Sequence, residues 1–591
     1  RGTFAEGSTR CPVHAPRTIK MSSTQEAIAV IPVAPIRANA IDRERWLTGA
    51  AVLLVVALLL GIVAFPVSAL VGQSFFDREG GFVGLANFAR YLDNPALVQS
   101  AFNSLWLAAI SAVICTAIAY VYAYGLTLSC MPAKGVLRAV ALIPLLAPSL
   151  LPAISLVYLF GNQGLFKGLL GGASIYGPLG IVLGSVFWTL PHALLILTTA
   201  MATSDGRLYE AAQTLGASRW RMFRTVTLPS TRYGLIVAAM VVFVLVITDF
   251  GVPKVVGGQT GVLATDIYKQ VVGQQNFQMG AVVGFVLLIP AVLSFLVERH
   301  VRRKQAAALS ARATPYQPEP VRTRDRALLV FCALTGCAIL VMIGMAVFAS
   351  LATYWPYQLA PSFKNYDFSN MDGGGWGSYF NSLRLAVCAA VAGALLTFVS
   401  AYLVEKPRHF GLLRELLNLL ANLPLAVPGL VLGVGYIFFF ISPSNPLRAI
   451  YGSMTILVVC TVAHFFSVAH LTSLTALRQL DREYELVSES MGIPFWRTLW
   501  RVHLPVALPT VLNVGGYFFV NAMTTVSAVV FLYSPQTTLA AIAVLNMDDA
   551  GDVAPAAAMA SLIMLTAAAG RGLFALAGRW ALVRTQAWRH R

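Results

Sequence analysis

Two short segments hold the side chains best suited to chemistry in this chain, and that chemistry is recognition of a partner. In the first, Glu210, Ala211 and Ala212 begin a run to Leu215 that suits a short helix, Gly216 permits a sharp turn, and Ser218 can cap a second helix. At helical spacing Trp220, Phe223 and Thr227 share a face of that second helix, with Arg219, Arg221 and Arg224 around it. Pro229, after Val226 and Leu228, is expected to break the element. A helix, turn, helix with aromatic and basic groups on offer would result, and the same pattern suits an interfacial amphipathic loop anchored by its Trp and Arg. The second segment, Gly492 to Pro505, repeats the first with Trp496, Arg497, Val502 and Leu504 in register. There Leu486, Val487 and Ser488 stand where Glu-Ala-Ala should be, with Glu485 and Glu489 just outside. Asp205 and Asp481 coincide too, and read as solvated loop carboxylates.

Catalysis finds no such support. The chain has no Gly-x-x-x-x-Gly-Lys-Ser/Thr phosphate loop, nucleophile elbow or metalloprotease helix. We therefore expect no catalytic residue, metal site or cofactor, and ATP hydrolysis on a separate protein. Ionisable and polar candidates for a transport pathway are Asp249, Lys254 and Arg384, with Tyr436, Tyr517 and His464 beside them. Arg384 either faces a pathway or snorkels to the interface. His192, His464 and His470 read as helix-packing residues, and the seven cysteines as small core residues.

The elements that must position these residues are membrane spans. With 57% hydrophobic and only 11% charged residues among 591, an ordinary soluble enzyme is excluded. Apolar stretches predict twelve spans: Leu47 to Val71, Phe102 to Leu128, Ala139 to Phe160, Leu179 to Ala202, Tyr233 to Ile247 and Met279 to Val297, then Ala327 to Ala352, Tyr379 to Val404, Leu416 to Ile441, Met454 to Leu474, Val506 to Phe531 and Val553 to about Phe574. The first run is too long for a signal-peptide core, so no cleavable signal is expected, and residues 1–20, ahead of Met21, read as an upstream extension of the reading frame. Between the sixes lies a basic, Pro-containing linker, Arg299 to Arg326, with too few apolar residues to fold alone.

Charge sidedness accounts for the net +17. Alternate threading puts Arg78, Arg90, Lys167, Lys254, Lys269, Lys364 and Arg448 on one side and nearly all other Lys and Arg on the other, which makes both termini and the linker cytoplasmic and leaves no call for nucleic acid. The halves echo each other. Phe102-Asn103-Ser104-Leu105 recurs as Phe380-Asn381-Ser382-Leu383, and Pro144 and Pro148 match Pro424 and Pro428. Duplicated halves with an even number of spans share one topology, related by an axis along the membrane normal.

The first segment resembles the EAA motif of permease subunits in binding-protein-dependent ATP-binding-cassette (ABC) importers, met here by Glu210, Ala211, Ala212, Gly216, Val226, Leu228 and Pro229; in the second, Gly492, Val502, Leu504 and Pro505 remain. The resemblance covers roughly Phe102 to Val297 and Tyr379 to Phe574. It implies an all-α polytopic membrane protein with two type I importer domains in tandem. Both loops would be coupling helices docked on two cytoplasmic ATPase subunits, with a periplasmic substrate-binding protein opposite, in a bacterial inner membrane. The implied division is an N-terminal arm 1–46, domains 47–298 and 327–576 joined by linker 299–326, and a tail 577–591. Fused permeases of this kind resemble both ferric-iron and 2-aminoethylphosphonate permeases, and Asp249-Phe250-Gly251-Val252-Pro253-Lys254 looks closer to the phosphonate type, which becomes the expected substrate with Fe³⁺ as the alternative. An ion-coupled secondary transporter of twelve spans is the rival class.

Overall fold

Long apolar helices dominate, because a backbone in hydrocarbon must satisfy its own hydrogen bonds. The computed structural model describes residues 38–308, 314, 316–369, 373–407, 409–443 and 445–585. The stretch ahead of Met21 with Cys11, most of the N-terminal arm, the middle of the linker and the end of the tail lie outside the described residues. Among the described residues, ten uninterrupted helices are long and apolar enough to span, namely Arg45–Gln73, Pro95–Leu128, Pro178–Ala202, Arg219–Ile247, Phe277–Val301, Arg322–Leu351, Gly375–Glu405, Met454–Arg478, Phe495–Thr524 and Val553–Thr585.

The third and ninth spans differ from expectation. Each is a broken pair, Lys134–Leu146 with Leu150–Phe160 bent by 104°, and Gly411–Ala426 with Gly429–Ile441 bent by 113°. The cause is local: Ala147 and Val427 are extended (ψ 141° and 116°) because each precedes a proline, Pro148 or Pro428, whose ring excludes the helical conformation from its neighbour. Both pairs still cross the bundle. The straight helix Arg322–Leu351 is tied to the first pair at both ends: Asp325 Oδ1 accepts from Cys130 N at 3.3 Å, and Trp355 Nε1 donates to Gln163 O at 3.1 Å. The second pair starts where Arg414 Nε donates to Val404 O (2.9 Å) and finishes near Gly452, whose carbonyl accepts from Ser534 in the loop that also bonds Asn381. With each bent pair counted as one span, the described residues make twelve spans in two sets of six.

The fifth and eleventh spans are corrected as well. They start at Arg219 and Phe495, absorbing the second helix of each recognition segment, and Pro229 breaks nothing. Five-residue π-helical turns, Phe223–Thr227 and Leu499–His503, precede Leu228 and Leu504, so Pro229 and Pro505 fall in the first α-helical turn beyond, where a missing N–H is tolerated. At the other end the eleventh span stops at Thr524, seven residues short of the expected Phe531.

The echoed Asn-Ser pair has one job in both halves. Ser104 Oγ accepts from Leu263 N and Ser382 Oγ from Ala540 N, each at 2.8 Å. Asn103 donates to Gly261 O (3.0 Å) and Asn381 to Gln536 O (2.9 Å) and Thr538 O (3.1 Å). Each pair pins the second span of its half to the segment after the fifth. The halves also exchange their leading helices. The first span packs on the second half, where Tyr436 donates to Ile62 O at 2.7 Å and Pro66 O lies so close to Gly435 that a Cβ there would sit at 2.4 Å. The seventh packs on the first half, with Cys332 against Gly125 and Trp355 edge-on to Tyr158 at 4.9 Å. Beyond it a short hairpin, Ala352–Tyr354 with Gln358–Pro361, caps the end of the bundle away from the linker. Cys115, Cys332 and Cys460 are buried as expected, whereas Cys130, Cys337 and Cys388 are exposed.

Candidate functional site

Both recognition segments lie at the linker end of the bundle and share one construction. In the first, helix Gly206–Thr214 leads into Gly216, whose φ of +67° is the left-handed turn that only glycine adopts freely. Ser218 caps the second helix by accepting from Arg221 N at 3.3 Å. Trp220 and Phe223 stack at 5.5 Å; Trp220 is 66% exposed, while Thr227 turns inward to accept from Tyr209 OH at 3.2 Å. Burial pushes the Tyr209 phenol up in pKa. Glu210, Ala211, Gly216, Leu228 and Pro229 are exposed, and Ala212 and Val226 half-buried. Arg219, Arg221 and Arg224 are exposed around Trp220, so a cationic and aromatic surface is offered outward. In the second segment, helix Glu483–Ser490 leads into Gly492 at φ +64°, then Phe495–Thr498. Leu486 and Val487, in the place of Glu-Ala-Ala, are about half exposed. Val502, Leu504 and Pro505 are half-buried.

Several partners could not be read from sequence. Asp205 is a helix cap, not a loose carboxylate: it accepts from Arg207 N at 3.1 Å and from Thr314 of the linker at 3.4 Å. The Arg207 N–H holds its carboxyl below the usual range. The linker lies along this segment, with Thr314 O accepting from Gly206 N (2.7 Å) and Tyr316 stacked on Tyr209 at 4.1 Å. A cavity of about 210 Å³ opens between them, lined by Gln213, Arg219, Phe223, Tyr316 and Glu319 among others. In the second segment Glu485 Oε1 meets Lys406 Nζ at 2.7 Å and His503 Nε2 at 2.9 Å. Glu485 and His503 occupy the positions of Tyr209 and Thr227, a register visible in the sequence though its meaning was not.

The pathway candidates separate. Asp249, 8% exposed, spends its carboxylate on Gly251 N (3.2 Å) and Val252 N (3.0 Å), starting the short helix Gly251–Val256. Arg384 is exposed on the stripe of Phe380, Val387, Val391 and Leu395, apolar side chains 47–58% exposed, so it stands on the outer side of its helix and not among the buried side chains of the bundle. Lys254 crosses the seam between the halves to Asp549 at 2.9 Å, near the Tyr268 ring. Tyr436 and Tyr517 are packed inside the bundle, Tyr436 bonded to the first span and Tyr517 edge-on to Phe465 at 6.1 Å. His470 pairs with Ser400 Oγ at 3.1 Å, while the buried Nδ1 atoms of His192 and His464 find no hydrogen-bond partner among the described residues. Among the described residues no three His, Cys, Asp or Glu side chains converge as a metal group would require.

Comparison with known proteins adds the family. The profile of the binding-protein-dependent transport system inner membrane component matches residues 131–306 and 400–581, once in each half. The ferric transport system permease protein FbpB of Actinobacillus pleuropneumoniae is 25% identical over 563 residues, covering 93% of this chain and 80% of that one. The thiamine transport system permease protein ThiP of Salmonella typhimurium is 24% identical and covers 70% of this chain and 78% of its own. The spermidine/putrescine transport system permease protein PotB of Haemophilus influenzae is 26% identical over 41% of this chain and 89% of its own, a match to one half. These matches set aside the ion-coupled secondary transporter. With two profile matches in tandem on two six-span halves, this chain belongs to the binding-protein-dependent transport system inner membrane components, the permease subunits of ABC importers.

Proposed function

We propose that this permease carries ferric iron inward, received from a periplasmic binding protein at the hairpin end and driven by two ATPase subunits docked at the linker end. The docking surfaces are the two segments around Gly216 and Gly492, with Glu210, Ala211, Leu228 and Pro229 exposed on the first, and Ala212, Val226, Val502, Leu504 and Pro505 half-buried behind these surfaces. The observation that carries this reading is the repeated left-handed glycine and π-turn, which present two equivalent helical elbows on one end of the molecule. In this reading the linker end, both termini and the basic loops are cytoplasmic, and the two domains run 47–298 and 327–576.

For the substrate, Fe³⁺ displaces the phosphonate expected from the Asp249 to Lys254 segment. A phosphonate would require free cations along the pathway. Lys254 is paired with Asp549, and Arg384 stands on an exposed apolar stripe that we read as facing lipid, where its side chain snorkels. Asp548, on helix Ala540–Ala550 next to the Lys254–Asp549 pair, offers instead a carboxylate, a hard oxygen donor, and the FbpB relative that covers 93% of this chain is named for ferric transport. Proteoliposomes holding the chain, its ATPases and the loaded binding protein should accumulate radio-iron in an ATP-dependent way and leave 2-aminoethylphosphonate outside. Uptake of the phosphonate without iron would overturn the assignment.

A further inference from the structure

The two docking segments hold their first helix to the bundle in different ways. In the first, a phenol and a hydroxyl, Tyr209 and Thr227, make one neutral hydrogen bond within the segment. In the second, the corresponding residues are Glu485 and His503, and a third group, Lys406, joins them from the end of the eighth span. Glu485 Oε1 is shared by Lys406 Nζ at 2.7 Å and His503 Nε2 at 2.9 Å, and the side chains of Lys406, His503 and Glu485 are 8%, 0% and 18% exposed. This acid therefore faces the bundle and not the surface where a docked subunit would lie. Tyr402 closes the group, its ring 5.4 Å from His503 and its hydroxyl donating to Phe495 O at 3.3 Å.

Building on the reading of these segments as ATPase docking sites, we propose that Glu485 is a positioning residue that transmits motion of the second docking helix to the spans. Pulling Glu485 from Lys406 would strand a charge in a nearly closed site, so the pair moves together. Lys406 leads through Phe410 into Gly411–Ala426, the first arm of the broken ninth span, and His503 closes the π-turn that opens the eleventh. A push on Glu483–Ser490 thus reaches two spans at once. The first docking helix has its Tyr209–Thr227 bond to the fifth span and is otherwise strapped by the linker. The second segment, which lacks Glu-Ala-Ala, compensates by charged transmission inward.

The test uses the full chain with its ATPases and loaded binding protein in proteoliposomes. Glu485→Gln should keep the ATPases bound on co-purification and keep ATP turnover within about twofold, while uptake per ATP falls about tenfold. Lys406→Glu should behave alike, and the double variant Lys406→Glu with Glu485→Lys, which restores the pair with reversed sign, should bring uptake per ATP back to within about threefold of the original chain. Recovery of that kind separates transmission from a folding defect. Release of the ATPases by Glu485→Gln would make it a docking contact and overturn the proposal, as would unchanged uptake per ATP or failure of the swap. If the unsubstituted chain itself retained no ATPase, the docking reading would fall and this role with it.

Discussion

Gly216 shows how one residue can matter without touching anything. Its φ is +67°, yet a Cβ there would meet nothing within 4 Å, so the position forbids a conformation rather than a volume. Gly216→Val should cost about 1–2 kcal/mol in the local turn, with loss of ATPase retention and uptake but normal membrane insertion, whereas Gly216→Asn, which tolerates the left-handed region, should keep most activity. Full ATP-dependent uptake by the valine variant would sink the coupling role of this loop. Asp205 offers a second test. Replacing it by Ala should fray helix Gly206–Thr214, seen as faster amide exchange there with no change in the second segment. Because its folded pKa is depressed, the cap is fully present above the ordinary aspartate range and is lost only as pH falls through the lowered value. The glycine turn and the Ser218 cap were legible in sequence because both act within four residues. The Thr314 contact to Asp205 and the Lys406 contact to Glu485 were not, since each joins residues far apart in the chain whose proximity only the fold decides.

At the scale of elements, the broken spans and π-turns do the positioning. Apolar runs located the third and ninth spans correctly but could not show the bend, since hydropathy counts residues and ignores the backbone restriction ahead of Pro148 and Pro428. Sequence makes the fifth span too short for the opposite reason: Pro229 reads as a breaker, while the π-turn before it lets the helix run through. The echoed Asn-Ser pair marks a duplication in sequence, and in the fold it is a structural pin. Ser104→Ala and Ser382→Ala each orphan a buried backbone N–H, of Leu263 and Ala540, and should each cost about 1–3 kcal/mol. The two sites are in separate halves, so their effects on thermal unfolding of the purified permease should add. A double variant no less stable than either single would show that the pins are not independent.

For the molecule as a whole, polarity and closure can be checked. Cys130, exposed at the linker end, should resist an impermeant thiol reagent added to intact cells, while Tyr357→Cys on the hairpin, 86% exposed in the native residue, should react at once. The reverse pattern would invert the membrane orientation proposed for the chain. At the hairpin end, Lys254 and Asp549 join the halves across their seam. Cysteines at both positions, bridged by a bifunctional thiol reagent, should stop uptake while leaving ATPase binding intact, and reversal of the bridge should restore transport. Continued uptake through the bridged protein would show that this seam does not open.

The exchange of leading helices has a consequence for how the chain is made. The first span meets its partner at Tyr436, whose hydroxyl bonds Ile62 across 374 residues of sequence. At about 5–20 residues per second of synthesis, the first span waits about 20–75 s in the bilayer before that surface exists. During that interval its inward face, including Val52, Val55, Val56 and Leu59, has only lipid for company. Lipid is an adequate stand-in for an apolar helix face, and no charge falls between Leu47 and Val71 that would need a protein partner during that wait.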